Sequence, residues 1–318
     1  MTGRRLAGPA AILLGLVLLA GAPWWGSPVL IQYGIEALLL AVLAQGWNII
    51  GGYAGYPSFG NSAFYGLGTY GTAIAMAQFH LSFGVGLVIG AAVATLAALL
   101  LGLPILRLRG PYFAIATLGL AAAMSAIVAN IGIAGRNIGL ILPLTRNDTL
   151  FYELALALLA AATLAVAAID RSRFGLGLLA IREDEDAAAA TGVDTTRFKV
   201  AALALSAVFS ALAGGIHAYW ITFIDPASAF DPALNVKMVI MAVFGGPGTI
   251  LGPVIGAFVL SAVSEVLASR VSTAASLFFG LVIVLAVIFM PKGLVDLAQG
   301  FRRRRWQYFL QVVRQYRL

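Results

Sequence analysis

Five of the 13 acidic residues in this 318-residue chain fall between positions 183 and 194. Glu183, Asp184, Glu185 and Asp186 precede the run Ala187–Ala190, and Gly192 closes it. Acids at a helix start complement the helix dipole, alanine is the best helix former, and glycine is the usual stop. The pattern predicts a short amphipathic helix inside residues 170–199, the only long polar connection within the chain. A helix presented this way is a docking element for a partner; the other reading is a merely solvated connection. Catalytic chemistry finds little here. Only His80 and His217 are present, far apart, and cysteine is absent, so metal-ligand spacing, thiolate chemistry and disulfides have no basis. No nucleophile–base pair is evident, and no G-x-x-x-x-G-K-[ST] pattern provides a P-loop. The chain does not read as an enzyme.

A second group of polar residues sits among glycines. Residues 51–71 read GGYAGYPSFGNSAFYGLGTYG, with Pro57 inside the run. Each interior helical glycine costs about 1 kcal/mol relative to alanine and proline about 3, so a regular helix is disfavoured. Irregular backbone at membrane depth survives where protein buries it or where it lines an aqueous cavity. Asn48, Ser58, Asn61 and Tyr65 would supply the polar groups of such a path, while the glycines after Gly66 suit close helix packing. A second break, FGGPGTILGPVIG at 244–256, places Gly245 and Gly246 at the end of another apolar run. The two breaks share a form and lie about half a chain apart, which suggests an inverted repeat with broken helices beside a substrate path. Glu36 and Glu265 lie within apolar runs and could serve a proton relay, or sit near span ends.

The elements that must position these residues are membrane helices. Hydrophobic residues make up 61% of the chain and charged residues 10%, too few charges to coat a soluble globule. A soluble enzyme, a disordered regulator and a secreted disulfide scaffold are excluded. Apolar stretches occupy roughly 10–26, 29–50, 61–80, 84–106, 111–131, 149–169, 200–223, 235–246, 250–268 and 272–290. The expectation is an all-α polytopic membrane protein with about ten transmembrane segments, some broken and glycine-rich. Arg4, Arg5, Arg107, Arg109, Arg171, Arg173, Lys292 and Arg302–Arg305 mark the cytoplasmic side. Even numbers of spans between these groups put both termini inside, provided the short run 235–246 crosses or nearly does. Arg136, Arg146 and Arg270 then lie outside. The N-terminus also fits a signal peptide, with Ala20-Gly21-Ala22 as a cleavage-like site, but an uncleaved first helix suits a polytopic chain better. Residues 1–300 form the membrane domain with the connection 170–199. Residues 301–318 form a basic tail that suits anionic headgroups rather than nucleic acid.

Several blocks, in order, resemble the permease subunits of bacterial ABC importers for branched-chain amino acids (Leu/Ile/Val). They are GWNIIGGYAGYPSFGNSAFYGLGTY (46–70), RLRGPYFAIATLGLA (107–121), SRFGLGLLAIREDEDAAAATGVDTTRFKVAALALSAVFSALAGGIHAY (172–219), FGGPGTILGPVIGA (244–257) and MPKGLVDL (290–297). Together they span most of residues 45–297. The resemblance implies that Arg182, Glu183, Glu185, Asp186, Ala187, Ala188 and Gly192 belong to an E-A-A-x-x-x-G-like coupling helix that docks on a cytoplasmic ATPase. Asp186 stands at the acid position, or Glu185 one residue early; either could make the contact. It further implies a bacterial inner-membrane location, a second permease subunit, two ATPase subunits that carry ATP and magnesium, and a periplasmic binding protein that delivers the amino acid. This chain then needs no cofactor of its own. Two rivals stand beside this reading: the same architecture carrying urea, short amides or other amino acids, and an ion-coupled secondary carrier using Glu36 and Glu265.

Overall fold

A computed structural model describes residues 27–145, 147–268 and Leu294. The apolar runs 10–26 and 272–290, Arg270, Lys292 and the tail 301–318 lie outside the described residues. Helix α1 (Pro28–Trp47) begins at Ser27, whose hydroxyl accepts from the Leu30 amide. Pro28 occupies the first helical position, where no amide donor is needed. At Asn48–Tyr53 the helix widens into a π-helical segment, and the chain turns back through an irregular stretch to α2 (Asn61–Ala77). Two further apolar helices follow, α3 (Phe83–Ile105) and α4 (Pro111–Asn130). Between them Gly110 adopts a positive φ of 57° and Pro111 starts the next helix, as a tight hairpin requires.

After α5 (Asp148–Asp170), the polar connection folds into two helices, α6 (Arg173–Glu183) and α7 (Glu185–Ala190). The long α8 (Thr195–Ile221) then crosses the middle of the bundle. A short antiparallel ribbon pairs β1 (Leu140–Ile141) with β2 (Phe223–Ile224), Leu140 facing Ile224. The chain continues through α9 (Pro226–Ala229), α10 (Pro232–Gly245) and α11 (Gly252–Ala268).

Among the described residues, six stretches are long and apolar enough to cross a membrane: Pro28–Tyr53, Phe83–Ile105, Pro111–Asn130, Asp148–Asp170, Thr195–Ile221 and Pro226–Gly245. The fold is therefore a polytopic helical bundle. The run expected at 235–246 is extended backwards by α9, which gives the 20 residues that a crossing needs.

Helix α8 packs against α2 and α3 on one side and against α1 and α5 on the other. Glycine lets α8 and α2 approach so closely. A Cβ on Gly68 would lie 2.3 Å from the Ala211 backbone, and one on Gly214 would lie 2.2 Å from the Tyr65 carbonyl oxygen. Close packing of this kind, expected for the glycines after Gly66, offsets their helical cost: Gly68 meets the α8 backbone and Gly71 the Gly90 backbone of α3, while Gly66 makes room for the Phe230 ring. Within residues 51–71 the backbone is π-helical to Tyr53 and irregular only at 54–60. Helices α3 and α4 form the outer wall, with Val88, Leu100, Tyr112 and Ile115 each more than 60% exposed. Lipid or another membrane chain covers such a face at no desolvation cost.

Candidate functional site

The predicted short helix is present, and its ends are built as the sequence implies. The Asp184 carboxylate accepts from the amides of Asp186 and Ala187, both at 3.0 Å. At the other end Gly192 takes a φ of +92°, the Gly192 amide donates to the Ala189 carbonyl, and the Val193 amide donates to that of Ala188. Paired bonds of this kind close a helix around a left-handed glycine. Ala188 is buried against the bundle while Ala187, Ala189, Ala190 and Glu183 are exposed. The helix thus presents a small, smooth outer face.

The two candidate acids have different roles. Glu185 turns inward, and its side chain is 13% exposed. The Lys199 ammonium donates to it at 2.5 Å, and the Tyr56 hydroxyl donates to its other oxygen. Lys199 also donates to the Tyr56 hydroxyl at 3.0 Å and to the Leu106 carbonyl at 3.1 Å, so its buried charge is fully surrounded by acceptors. Burial alone would raise the Glu185 pKa. The bonds from Lys199 and Tyr56 and the nearby Arg109 outweigh it and hold the carboxyl below its ordinary value. Asp186 points outward with a side chain 78% exposed, gripped by Arg109 in two parallel bonds of 2.9 and 3.0 Å. That contact lowers the Asp186 pKa and raises that of Arg109. One acid thus fastens α7 to α8 and to the loop after α1, while the other fastens it to the α3–α4 hairpin.

Arg182, at the end of α6, reaches the first break. Its guanidinium donates to the Gly52 carbonyl at 2.8 Å, and Gly52 lies in the π-helical segment, where the backbone departs from the regular ladder. Gly55 lies under the same side chain: a Cβ there would come within 2.8 Å of Arg182 Cγ, and its φ is +75°. The second break meets the first at this point. Asn48 accepts from the Gly248 amide at 2.8 Å and donates to the Thr249 carbonyl at 2.9 Å. Gln45, one turn earlier, donates to the Ile250 carbonyl at 2.7 Å. The breaks that lie half a chain apart in sequence therefore abut, stitched by two amide side chains, Gln45 of α1 and Asn48 at the start of the π-helical segment. Gly245 and Gly246 form the turn itself. A Cβ on Gly245 would sit 1.8 Å from the Gly252 carbonyl oxygen, and Gly246 has a φ of +127°.

The remaining path candidates sit deeper and are paired with protein. Ser58 donates to Asn61, and Asn61 donates to Ser206 at 2.8 Å and to Ser210 at 3.4 Å on α8. Ser58 is 1% exposed, Asn48 and Asn61 are 0%, and Tyr65 is 5% exposed beside the His217 ring. In this conformation these groups form an internal polar seam. Ser62 and Asn235 extend it with two mutual bonds of 2.6 and 2.8 Å.

Several residues of this junction are not singled out in the sequence. Lys199 closes the polar connection read at 170–199 and stands one turn into α8, directly before an apolar run, which is the signal that could have found it. Tyr56 is hidden among loop glycines, and Arg109 reads only as a topology marker. Gln45, Ser206, Ser210 and Asn235 are lone polar residues in apolar runs, and no local pattern tells which partner each will meet.

With this geometry established, comparison with known proteins is informative. The sequence model of a family described as "Branched-chain amino acid transport system / permease component" matches residues 29–287. The high-affinity branched-chain amino acid transport system permease protein LivM of Salmonella typhimurium (strain LT2) is 28% identical over 320 residues. That alignment covers 90% of this chain and 75% of LivM. LivM of Escherichia coli (strain K12) matches at the same identity and coverage. No solved structure matches the chain.

Proposed function

The chain belongs to the family of permease components of branched-chain amino acid transport systems, and from that premise we propose that it is driven by an ATPase that docks on α7. By family it is a transport component and not an enzyme. It is a multi-pass protein of the bacterial inner membrane that works with partner subunits. The finer assignments are our reading: a second permease subunit beside it, two cytoplasmic ATPases holding ATP and magnesium, and a periplasmic protein that delivers a branched-chain amino acid. In this reading both termini are cytoplasmic, and α6 and α7 face the ATPase.

The observation that carries the proposal is mechanical. Arg182 and Glu185, two residues of the expected coupling segment, are each bonded to membrane helices or to a break between them. Closure of the ATPase dimer would displace α7, and the Glu185–Lys199 contact would pass the displacement to α8 at the centre of the bundle. Arg182 would pass it to the π-helical end of α1, and Asn48 onward to the second break. A path lined by Asn48, Ser58, Asn61, Tyr65, Gly245 and Gly246 would open when this seam exchanges its internal partners. Asp186, Glu183 and the outer alanines of α7, including Ala187, would form the docking face, with Ala188 and Gly192 fixing its shape.

The test is purification of the tagged chain from its native membrane, with identification of what accompanies it. Recovery of a P-loop ATPase and a second permease is expected, with loss of the ATPase in the Glu183→Ala/Asp186→Ala variant. A chain that purifies alone and moves amino acid into liposomes without ATP would instead be a secondary carrier.

A further inference from the structure

At the bundle end opposite α6 and α7, a cavity of about 550 Å³ opens between α1, α5, α10 and α11. Its position follows from the helices: Tyr33 and Tyr152 line it near the starts of α1 and α5, whereas Tyr53 and Asp170, at the other ends, bond to each other beside the connection. Three ionisable side chains from three helices converge on it: Glu36 of α1, Lys237 of α10 and Glu265 of α11. The rest of the wall is largely apolar, with Leu40, Met241 and Phe258 among its residues.

Such charges are costly at membrane depth and mark substrate paths when they face a cavity. Snorkelling does not account for Glu36 and Lys237. Glu36 stands more than two turns into α1, and Lys237 stands near the middle of the Pro226–Gly245 stretch. They also converge on one space, where snorkelling would direct each to its own headgroup. Nor do they neutralise one another: among the described residues no ion pair joins Lys237 to either carboxylate, and the Tyr33 hydroxyl bonded to Glu265 is neutral. The volume is that of an ordinary small-molecule pocket, in which apolar walls and a few polar groups fix orientation.

We infer that this cavity binds a zwitterionic amino acid, with its ammonium group between Glu36 and Glu265, its carboxylate on Lys237, and its aliphatic side chain against Leu40, Met241 and Phe258. The inference rests on the transport reading and gives it a receiving site on the side where substrate would be delivered. Urea and simple amides carry neither charge that this arrangement would pair.

The chain has no cysteine, so Ala262→Cys in the cavity wall is a unique label position on it. The experiment uses the transporter with the partners that purify with it, in liposomes, and reads modification of this chain by a charged methanethiosulfonate through its mass. Ala262→Cys is expected to react, and L-leucine at ten times its Kd should slow the reaction by about tenfold. L-leucinamide, which lacks the carboxylate, and urea should not protect. Lys237→Met should abolish protection by leucine, and Lys237→Arg should restore it. No modification, an equal rate with and without leucine, or protection that persists in Lys237→Met would overturn the inference. ATP-dependent leucine uptake in the same liposomes separates the two levels. Uptake without protection overturns the binding site alone, and absence of uptake with the full set of partners overturns the transport reading beneath it.

Discussion

The two ends of the bundle use charge in opposite ways. Around α7 the charges that join it to the bundle have protein partners: Glu185 with Lys199, Asp186 with Arg109, and Arg182 with a backbone carbonyl. Around the opposite cavity, Glu36, Lys237 and Glu265 face a common space with no ion pair between them. Paired charges at short distance hold elements in one geometry. Charges without a counter-charge at membrane depth, even where one of them, Glu265, meets the neutral Tyr33 hydroxyl, are useful only when something else arrives to pair with them. The first end is therefore a joint and the second a receiver, and the seam of Asn48, Asn61, Ser206 and Asn235 lies between them.

This contrast can be broken most severely at Glu185. Glu185→Ala leaves the Lys199 ammonium buried with only neutral acceptors, a change that costs about 3–5 kcal/mol in comparable sites. A large fall in melting temperature in detergent is expected. Lys199→Met combined with Glu185→Leu should recover much of the stability, since an apolar pair can replace a buried ionic one. Equal damage from the single and double changes would show that the contact is not a pair.

Between the two ends, the close packing of α2 on α8 should make Gly68→Val costly. Its Cβ would meet the Ala211 backbone, which cannot turn away, and overpacking of this kind costs about 1–3 kcal/mol. Thermal melting measures the loss, and leucine uptake shows whether the helices still move as one block. A local change comes next. Gly192→Val meets no atom within 4 Å but must hold a left-handed φ, which costs about 1–2 kcal/mol. Faster amide exchange is expected in α7, with the bundle unaffected.

The pH dependence of the joint has a definite sign. The Glu185 carboxyl is held below its ordinary pKa in the folded protein. Its contribution is thus fully present above the unfolded value of about 4.3 and is lost as pH falls through the folded one. Protection of α7 amides should be flat from neutral pH to about pH 5 and decline only at lower pH. A decline that begins near neutrality would indicate a group other than Glu185. The smallest structural effect belongs to the receiver. Glu36→Gln should leave the melting temperature unchanged, because no ion pair is lost, while leucine uptake weakens. A destabilised Glu36→Gln would erase the distinction between the two ends.

Much of the architecture was legible from composition and local chemistry. Apolar runs longer than a bilayer core leave few alternatives to membrane helices. The acidic start and the glycine stop of α7 were legible because both act within one turn of their own backbone, although that Asp184 is the cap came from the structure. The span at 61–77 was legible as an apolar run with glycines suited to close packing, but the surfaces those glycines meet were not. Only the folded bundle shows that Gly68 meets the backbone of α8, Gly71 that of α3, and Gly66 the Phe230 ring. The division of labour between Glu185 and Asp186 was equally hidden. Adjacent carboxylates look alike in a row of acids, and which one faces Lys199 depends on how α7 rolls against α8.

The sequence by itself determined the class of molecule, the set of apolar helices, the position of the short polar helix and the family, because each rests on residues near one another in the chain or on ordered blocks. Only the tertiary structure decided what those residues touch. It joined Arg182 to Gly52, Asn48 to the second break, and Glu36 to the same cavity as Lys237 and Glu265. Those contacts span tens to hundreds of residues. Their energies depend on distance and burial, which hydropathy and motif spacing do not encode.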